Sequence, residues 1–286
     1  MKPPVSVVIN TRNAGRWLEW SLRSVRDWAA DLVVVDMHSE DRTLEIARAA
    51  GARIFMHEPM GYVEPARAFA VAQASQEWVL ILDADELVPP PLATALAGLA
   101  AAGSCDAVSI GRLNYFFGRP LLGGGWGVAQ DRHVRFFRAG HLDPGERIHE
   151  QLRTRKGSRL AVLEPVSGRH LVHFNYESVS DFVQRMDRYT SVEAKNRAAA
   201  GERPSTVRAC LAEVFNRFVR FGGWRDGWRG LYLTLAMAAY RATTAAKMRE
   251  STELAGEPVR DRYEAEAARW LAGDQHVETR TPTGKH

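Results

Sequence analysis

A chain of 286 residues, 45% hydrophobic and 25% charged, has the composition of an ordinary globular protein and enough length to bury a substantial core. Its formal net charge of +4 permits anionic partners without specifying one, and we expect no nucleic-acid partner among them. Cys105 and Cys210 lie far apart with no metal-type spacing, and no apolar stretch approaches the roughly 20 residues of a membrane-spanning helix. With no apolar run of the signal-peptide type near the N-terminus, these features predict a cytoplasmic protein.

Four short apolar runs alternate with segments of helical periodicity in the first part of the chain. The runs cover residues 5–10, 32–35, 53–56 and 78–82. Runs of this kind, most clearly the unbroken one at 78–82, are typical of strands buried on both faces, and strands separated by helices imply right-handed crossovers. The pattern predicts an α/β fold with a mostly parallel, Rossmann-like sheet flanked by helices. Helical periodicity from residue 179 onward predicts a helical C-terminal region.

Polar residues follow the first, second and fourth of these runs. They are Thr11 and Asn13, then Asp36, then Asp83, Asp85 and Glu86. The carboxyl ends of parallel strands meet at one edge of an open α/β sheet, and ligands bind there. Asp83 and Asp85, separated by one residue, either share one Mg²⁺ or Mn²⁺ ion or merely cap the helix that follows.

Two common phosphate-binding signatures are missing from the sequence. No Gly-x-Gly-x-x-Gly follows the first strand, which argues against a dinucleotide-binding fold, and no Gly-Lys-Ser/Thr marks a P-loop. The phosphates of a bound nucleotide would therefore have to be neutralised by a metal ion and by basic side chains.

Each candidate residue in the second part of the chain has two interpretations. Trp126, in the glycine-rich stretch 123–127, stacks on a sugar ring or serves as a buried anchor. Arg132 and Arg135 lie on one side of an alternating strand pattern, which either holds an acidic acceptor or a diphosphate or is a solvated face. His173 is a metal ligand or a hydrogen-bonded core histidine.

The segment from residue 201 to residue 249 concentrates positive charge. Nine basic and three acidic residues give it an excess of +6, compared with +4 for the whole chain, and it also contains Trp224 and Trp228. A mixture of Trp, Phe and Arg is typical of a helix at a membrane interface. The segment therefore binds the surface of an anionic membrane, or its helices pack on the preceding domain and expose their arginines.

In their order and spacing, a series of short motifs resembles the family 2 glycosyltransferases with the GT-A fold. The resemblance is closest to their lipopolysaccharide-core subgroup, the WaaE/KdtX-like proteins. The motifs lie at residues 5–13, 33–43, 67, 82–86, 132–138, 148–150, 173–176 and 226–231. The resemblance implies a metal-dependent, inverting glycosyltransferase with a nucleotide-sugar donor and Mn²⁺ or Mg²⁺ as cofactor.

The same resemblance implies roles for individual residues. The residues expected to bind the nucleotide-sugar are Thr11, Asn13, Asp36, Arg67 and Asp83. Asp85 and His173 are expected to hold the metal, and Glu150 is expected to take the proton from the attacking hydroxyl. The residues expected to meet the acceptor or the diphosphate are Trp126, Arg132 and Arg135.

These inferences predict a GT-A catalytic domain at residues 1–178, divided into a nucleotide-sugar half (1–105) and an acceptor and metal half (106–178). A helical region (179–275) and a disordered tail (276–286) would follow. We expect a hexosyl- or heptosyl-type transferase that modifies a saccharide or glycolipid in lipopolysaccharide or other envelope glycan synthesis. It would work peripherally at the inner face of the cell membrane. The alternatives are a sugar nucleotidyltransferase, although its glycine-rich loop is absent, and a non-catalytic GT-A-like binding or scaffold protein.

Overall fold

A computed structural model describes residues 2–59, 64–143, 153–166, 168–253 and 258–272, so the predicted tail lies outside the described residues. The helices are α1 (Leu18–Val25), α2 (Thr43–Ala49), α3 (Glu64–Ala72), α4 (Pro90–Ala102), α5 (Val179–Ala199), α6 (Val207–Val214), α7 (Trp228–Glu253) and α8 (Val259–Leu271). A π-helical stretch (Phe215–Arg220) and a 3₁₀ turn (Gly223–Asp226) join α6 to α7.

The strands are β1 (Val5–Thr11), β2 (Asp31–Asp36), β3 (Arg53–Met56), β4 (Trp78–Asp83), β5 (Glu86–Leu87), β6 (Ala107–Phe116), β7 (Arg119–Pro120), β8 (Arg132–Arg138), β9 (Leu142–Asp143), β10 (Arg153–Thr154), β11 (Leu160–Val162) and β12 (Leu171–Tyr176). The main sheet has the order β3-β2-β1-β4-β8-β6-β12-β5. Strands β1 to β4 are parallel, whereas β8 is antiparallel to both β4 and β6. The predicted α/β sheet flanked by helices is confirmed, with β5, β7 and β8 as antiparallel members.

Strand β4 lies within the hydrophobic core. Its side chains from Trp78 to Leu82 are at most 1% exposed, as the unbroken hydrophobic run predicts. The Trp78 ring stacks on Phe136 of β8 with the ring centroids 4.7 Å apart. Burial of such side chains contributes roughly 1.5–3 kcal/mol each. Pairing of β4 with β1 sets Asp83 beside Asn10, so the ends of the two strands meet at one edge of the sheet.

The chain forms two compact units. The first comprises Met1–Val183 and Glu213–Ala236, and the second comprises Gln184–Ala212 and Met237–His286. Within the first unit, the ring of Phe117 lies parallel to that of Trp228, with the centroids 6.1 Å apart. None of the described helices combines the length and the hydrophobicity that crossing a bilayer requires.

Candidate functional site

Hydrogen bonds tie the loops after β1 and β2 together at the edge of the sheet. Thr11 donates its hydroxyl to one carboxylate oxygen of Asp36 at 2.8 Å, and both residues are buried. The other oxygen of Asp36 accepts the N–H of Ser39 at 2.8 Å, and the side-chain oxygen of Asn13 accepts the N–H of Glu40 at 2.9 Å. These side chains shape the loops, and their direct contact with a nucleotide stays a prediction.

Asp83, at the end of β4, is surrounded by arginines from three other elements. Arg135 of β8 donates to both carboxylate oxygens, at 2.6 and 3.3 Å, and Arg67 of α3 donates at 3.4 Å. Arg112 of β6 lies 3.9 Å away. Burial alone would raise the pKa of Asp83, but the charges of Arg135 and Arg67 outweigh burial and hold that pKa well below its usual range. The edge of the sheet therefore carries an ionised carboxylate and three cations.

Glu86 is hydrogen-bonded to this cluster from the interior of the protein. Its fully buried carboxylate accepts the backbone N–H of Asp83 at 2.9 Å. It also accepts hydrogen bonds from Arg112 at 3.2 Å and from Arg135 at 3.3 Å. Buried carboxylates require such partners, because an isolated charge in the interior is very costly. The third acid at the end of this strand thus has a supporting position inside the protein.

A β-bulge directs Arg135 into the cluster. Val134 and Phe136 pair with consecutive residues of β6, which leaves Arg135 as an extra residue in β8. Bulges of this kind bend a strand and re-aim a side chain. Arg135 is only 5% exposed, so it does not belong to a solvated face.

Replacing Arg135 with Met is expected to destabilise the protein by about 3–5 kcal/mol, because Asp83 and Glu86 would lose their shared cation. Urea denaturation measures this change. Arg138→Met on the same strand is a matched control, since its ion pair with Glu77 is partly exposed and contributes about 0–1 kcal/mol. Equal destabilisation by the two substitutions would contradict a stabilising role for the buried cluster.

Pairing of β5 with β12 brings Asp85 and His173 together. His173 lies opposite Glu86 in this antiparallel pair, and the N–H of Phe174 donates to the carbonyl oxygen of Asp85 at 3.0 Å. As a result, Nε2 of His173 lies 3.6 Å from a carboxylate oxygen of Asp85. The two predicted metal ligands are therefore neighbours, although they are far apart in the sequence.

Asn114 determines which ring nitrogen of His173 is free. The amide nitrogen of Asn114 donates to the carbonyl oxygen of Trp126 at 2.9 Å and to the carboxylate of Asp131 at 2.7 Å. Its amide oxygen therefore faces Nδ1 of His173, 2.7 Å away, and accepts a hydrogen bond from it. The neutral imidazole consequently carries its lone pair on Nε2, the nitrogen that faces Asp85.

A carboxylate oxygen and a free imidazole nitrogen are suitable ligands for a divalent cation. Within the described ranges, no three histidine, cysteine or acidic side chains assemble into a complete metal cage. Mg²⁺, however, usually takes only one or two protein ligands and completes its shell with water and substrate phosphates. The pair formed by Asp85 and His173 therefore fits an ion that binds together with a phosphorylated ligand.

Asp131 holds Asn114 in place and belongs to the same polar network. It accepts hydrogen bonds from Arg112 at 3.0 Å and from His133 at 2.7 Å. Burial would raise the pKa of Asp131, but the hydrogen bonds from His133 and Arg112 hold it well below its usual range. Sequence reasoning missed Arg112 and Asn114, and the available signal was their polar alternation on an otherwise apolar strand.

An aromatic pair, also missed from the sequence, includes the residue that follows His173. The rings of Trp17 and Phe174 are stacked with their centroids 4.7 Å apart, and Tyr115 contacts Phe174 at 5.3 Å. Phe174 directly follows His173 and hydrogen-bonds to Asp85 through its backbone. These rings come together only when the whole chain folds, so local sequence patterns gave no signal for the contact.

Trp126 and Arg132, predicted on the acceptor side, contact other parts of the protein. The ring of Trp126 packs between the guanidinium of Arg217, 4.3 Å from the ring centroid, and the ring of Phe116, at 5.4 Å. Arg132 donates to a backbone carbonyl oxygen in the loop after β11 at 2.9 Å. Glu150 lies outside the described residues. The roles predicted for these residues toward the acceptor and the diphosphate stay predictions.

The glycine-rich stretch after β7 is bound to residues 213–236. Asp226 accepts the N–H groups of Leu122 and Gly123 at 2.7 and 3.0 Å. A Cβ atom at Gly123 would lie 2.3 Å from the carbonyl oxygen of Gly222, so only glycine permits this close approach. The glycines therefore serve close backbone packing next to the site.

A family model and a similar protein that match this chain are both glycosyltransferases. The model of glycosyl transferase family 2 matches residues 6–157, more than half of the chain. LpsC of Rhizobium meliloti, described as a lipopolysaccharide core biosynthesis glycosyltransferase, is 27% identical over 278 residues, which cover 90% of this chain and 96% of the relative.

Two solved structures show weaker similarity. Residues 1–349 of S. aureus TarS superpose with a TM-score of 0.45 and 16% identity, covering 89% of this chain and 91% of that one. Glucosyl-3-phosphoglycerate synthase from Mycobacterium tuberculosis was crystallised with Mn²⁺, uridine diphosphate and glucosyl-3-phosphoglycerate. It superposes with a TM-score of 0.33 and 25% identity, covering 40% of this chain and 44% of that one.

Proposed function

The chain belongs to glycosyl transferase family 2, and from this membership we propose that it moves a hexosyl or heptosyl residue from a nucleotide-sugar to a saccharide or glycolipid. Transfer proceeds by direct displacement with inversion, assisted by Mn²⁺ or Mg²⁺. One observation carries this proposal. Asp83 with its arginines and the pair formed by Asp85 and His173 lie at the same edge of the sheet.

In this proposal the donor lies along the edge from the end of β1 to the end of β4. The loops held by Thr11, Asn13 and Asp36 surround the base and ribose, and Asp83 faces the ribose. Arg67 reaches the nucleotide or braces Asp83. Its Nε is buried and lacks a hydrogen-bond partner in the described part of the chain, which supports a binding role for this arginine.

The charge that develops on the departing nucleoside diphosphate must be stabilised. When bound, the divalent ion supplies positive charge for this purpose. Asp85 and His173 hold that ion, and Asn114 keeps the lone pair of His173 directed toward it. Arg67 and Arg112 add positive potential at the same edge.

The acceptor must lose a proton as its hydroxyl attacks the anomeric carbon. We assign this step to Glu150 acting as a general base, on the strength of the family motif that contains it. Trp126 and Arg132 are assigned to the acceptor side, where the glycine-rich stretch adjoins the site.

We assign the acceptor to the cell envelope on the basis of the relative LpsC, which is described as acting in lipopolysaccharide core biosynthesis. A glycolipid acceptor of that class is presented at the inner face of the cell membrane. The protein would then work there by peripheral contact with an anionic lipid surface, which agrees with the excess of positive charge in residues 201–249.

A donor screen tests the proposed function. Purified protein is incubated with Mn²⁺ and each of several UDP-, GDP-, ADP- and CMP-sugars, and nucleotide release is measured with and without EDTA. We expect metal-dependent release from one donor class. Release of pyrophosphate from a nucleoside triphosphate and a sugar phosphate would instead identify a sugar nucleotidyltransferase. Failure to bind any donor would favour the scaffold alternative.

Replacing Asn114 with Leu is expected to weaken Mn²⁺ binding about 10–100-fold, because Nδ1 of His173 would lose the acceptor that fixes its tautomer. Electron paramagnetic resonance titration of Mn²⁺ in the presence of UDP measures the affinity without turnover. Asn196→Leu is a control with the same change of side chain, since the amide nitrogen of Asn196 has no hydrogen-bond partner among the described residues. Unchanged affinity in Asn114→Leu would contradict the positioning role.

A further inference from the structure

A ridge of large apolar side chains is exposed along residues 213–236 of the first unit. Its members are between 37% and 62% exposed, and we call them the apolar ridge: Phe215, Val219, Phe221, Trp224, Trp228, Leu231 and Leu235. Exposed hydrophobic residues are common singly, but seven of them within residues 215–235, including two tryptophans, indicate an interaction surface.

The backbone explains why three of these side chains share a surface. In α7, Trp228, Leu231 and Leu235 are spaced at i, i+3 and i+7, so they lie on one side of the helix. Leu233 and Thr234 of the same helix are at most 1% exposed and face the interior. One face of α7 is therefore buried, and another face exposes apolar side chains.

Arginines outnumber acids in the segment that carries the apolar ridge. Residues 213–236 contain four arginines and two acids. The acids are engaged within the protein, because Glu213 pairs with Arg217 and Asp226 accepts the two N–H groups near Gly123. Arg220 and Arg225 are exposed and form no ion pair with the rest of the described chain.

We infer that the apolar ridge, with Arg220 and Arg225, is a docking surface for an anionic lipid bilayer. Aromatic and aliphatic side chains beside arginines match the boundary between headgroups and acyl chains, where long basic side chains reach the headgroups while their stems stay in apolar surroundings. Arginines near an anionic surface add electrostatic attraction to the burial of the apolar side chains. A second copy of the chain is a poorer occupant, because it would bring the same arginines face to face.

The docking surface adjoins the candidate site. Asp226, between Trp224 and Trp228, holds the backbone of Leu122 and Gly123, and the Leu122 side chain is itself exposed. Docking would thus bring the glycine-rich stretch to the lipid surface, where the lipid-linked acceptor of the proposed function is located. The inference rests on that function only for the acceptor, since lipid binding itself requires no catalysis.

Co-sedimentation of the full chain with vesicles tests the inference. Vesicles of phosphatidylglycerol and phosphatidylcholine are compared with vesicles of phosphatidylcholine alone, at low and high salt. We expect binding to the anionic vesicles that weakens as salt screens the charges. Both Arg220→Glu/Arg225→Glu and Trp224→Ser should lower the partition coefficient, the double variant by about tenfold or more.

Arg48→Glu/Arg155→Glu provides a control with the same change in net charge at two other exposed arginines, and it should bind as the parent chain does. The inference is overturned if the parent chain stays in the supernatant with anionic vesicles, or if the control loses as much binding as the ridge variant. Self-association that Trp224→Ser abolishes would also overturn it. Donor hydrolysis should be unchanged in all these variants, and a parent chain that binds the vesicles but hydrolyses no donor would count against the proposed function alone.

Discussion

Asp85→Ala is expected to abolish sugar transfer while leaving the fold intact. The partly exposed carboxylate of Asp85 faces the free Nε2 of His173, so its removal would leave a divalent ion with a single protein ligand. Loss of a catalytic cation costs several kcal/mol of transition-state stabilisation, which corresponds to about 10³-fold or more in rate. Steady-state kinetics with the donor found by screening measures the change, and circular dichroism checks the fold.

Removal of the metal should have the same effect as the substitution. EDTA is expected to abolish turnover of the parent protein, and added Mn²⁺ or Mg²⁺ should restore it. His173→Ala should behave like Asp85→Ala, whereas Asp27→Ala, at an exposed acid just beyond the end of α1, should retain full activity. Full activity in EDTA would rule out the metal-dependent mechanism, whatever the substitutions do.

Glu150→Gln is expected to lower kcat by roughly 10²–10⁴-fold while donor binding persists, because the amide cannot accept the proton of the acceptor hydroxyl. Single-turnover kinetics with saturating donor, together with calorimetric donor titration, separates binding from chemistry. The pH–rate profile of the parent should show a limb from a group that must be deprotonated, and this limb should disappear in the variant.

If the Glu150→Gln variant kept the parent kcat, the role of general base would move to another acid. Asp131 is a weak substitute for Glu150, because its oxygens accept hydrogen bonds from Arg112, Asn114 and His133 and its pKa is held low. Asp143 would be the next residue to replace. Asp131→Asn serves as the comparison in either case, and it should act on metal binding through Asn114 more than on the chemical step.

The edge of the sheet could be predicted from the sequence because its signals are local. Unbroken apolar runs specify buried strands, and the polar residues that follow them lie at one edge once the strands are parallel. Asp83 and Asp85 needed only this argument. Linking Asp85 with His173 needed the family resemblance as well, since the contact depends on the pairing of β5 with β12.

The supporting groups of the site could not be predicted in this way. Arg135 reaches Asp83 because a bulge interrupts the alternation in β8, and a bulge leaves no clear mark in the sequence. Asn114 fixes His173 only because β6 and β12, which are distant in the chain, become neighbours. Long-range pairings of this kind are set by the packing of the whole sheet.

The first unit is built from two separate stretches of the chain, so it cannot be completed until the second stretch has been synthesised. A ribosome must complete residues 184–212, which belong to the second unit, before Glu213–Ala236 can emerge and pack against the earlier part of the first. Until Asp226 appears, the N–H groups of Leu122 and Gly123 lack their carboxylate partner. The glycine-rich stretch next to the candidate site therefore reaches its final contacts late, after most of the chain has been synthesised.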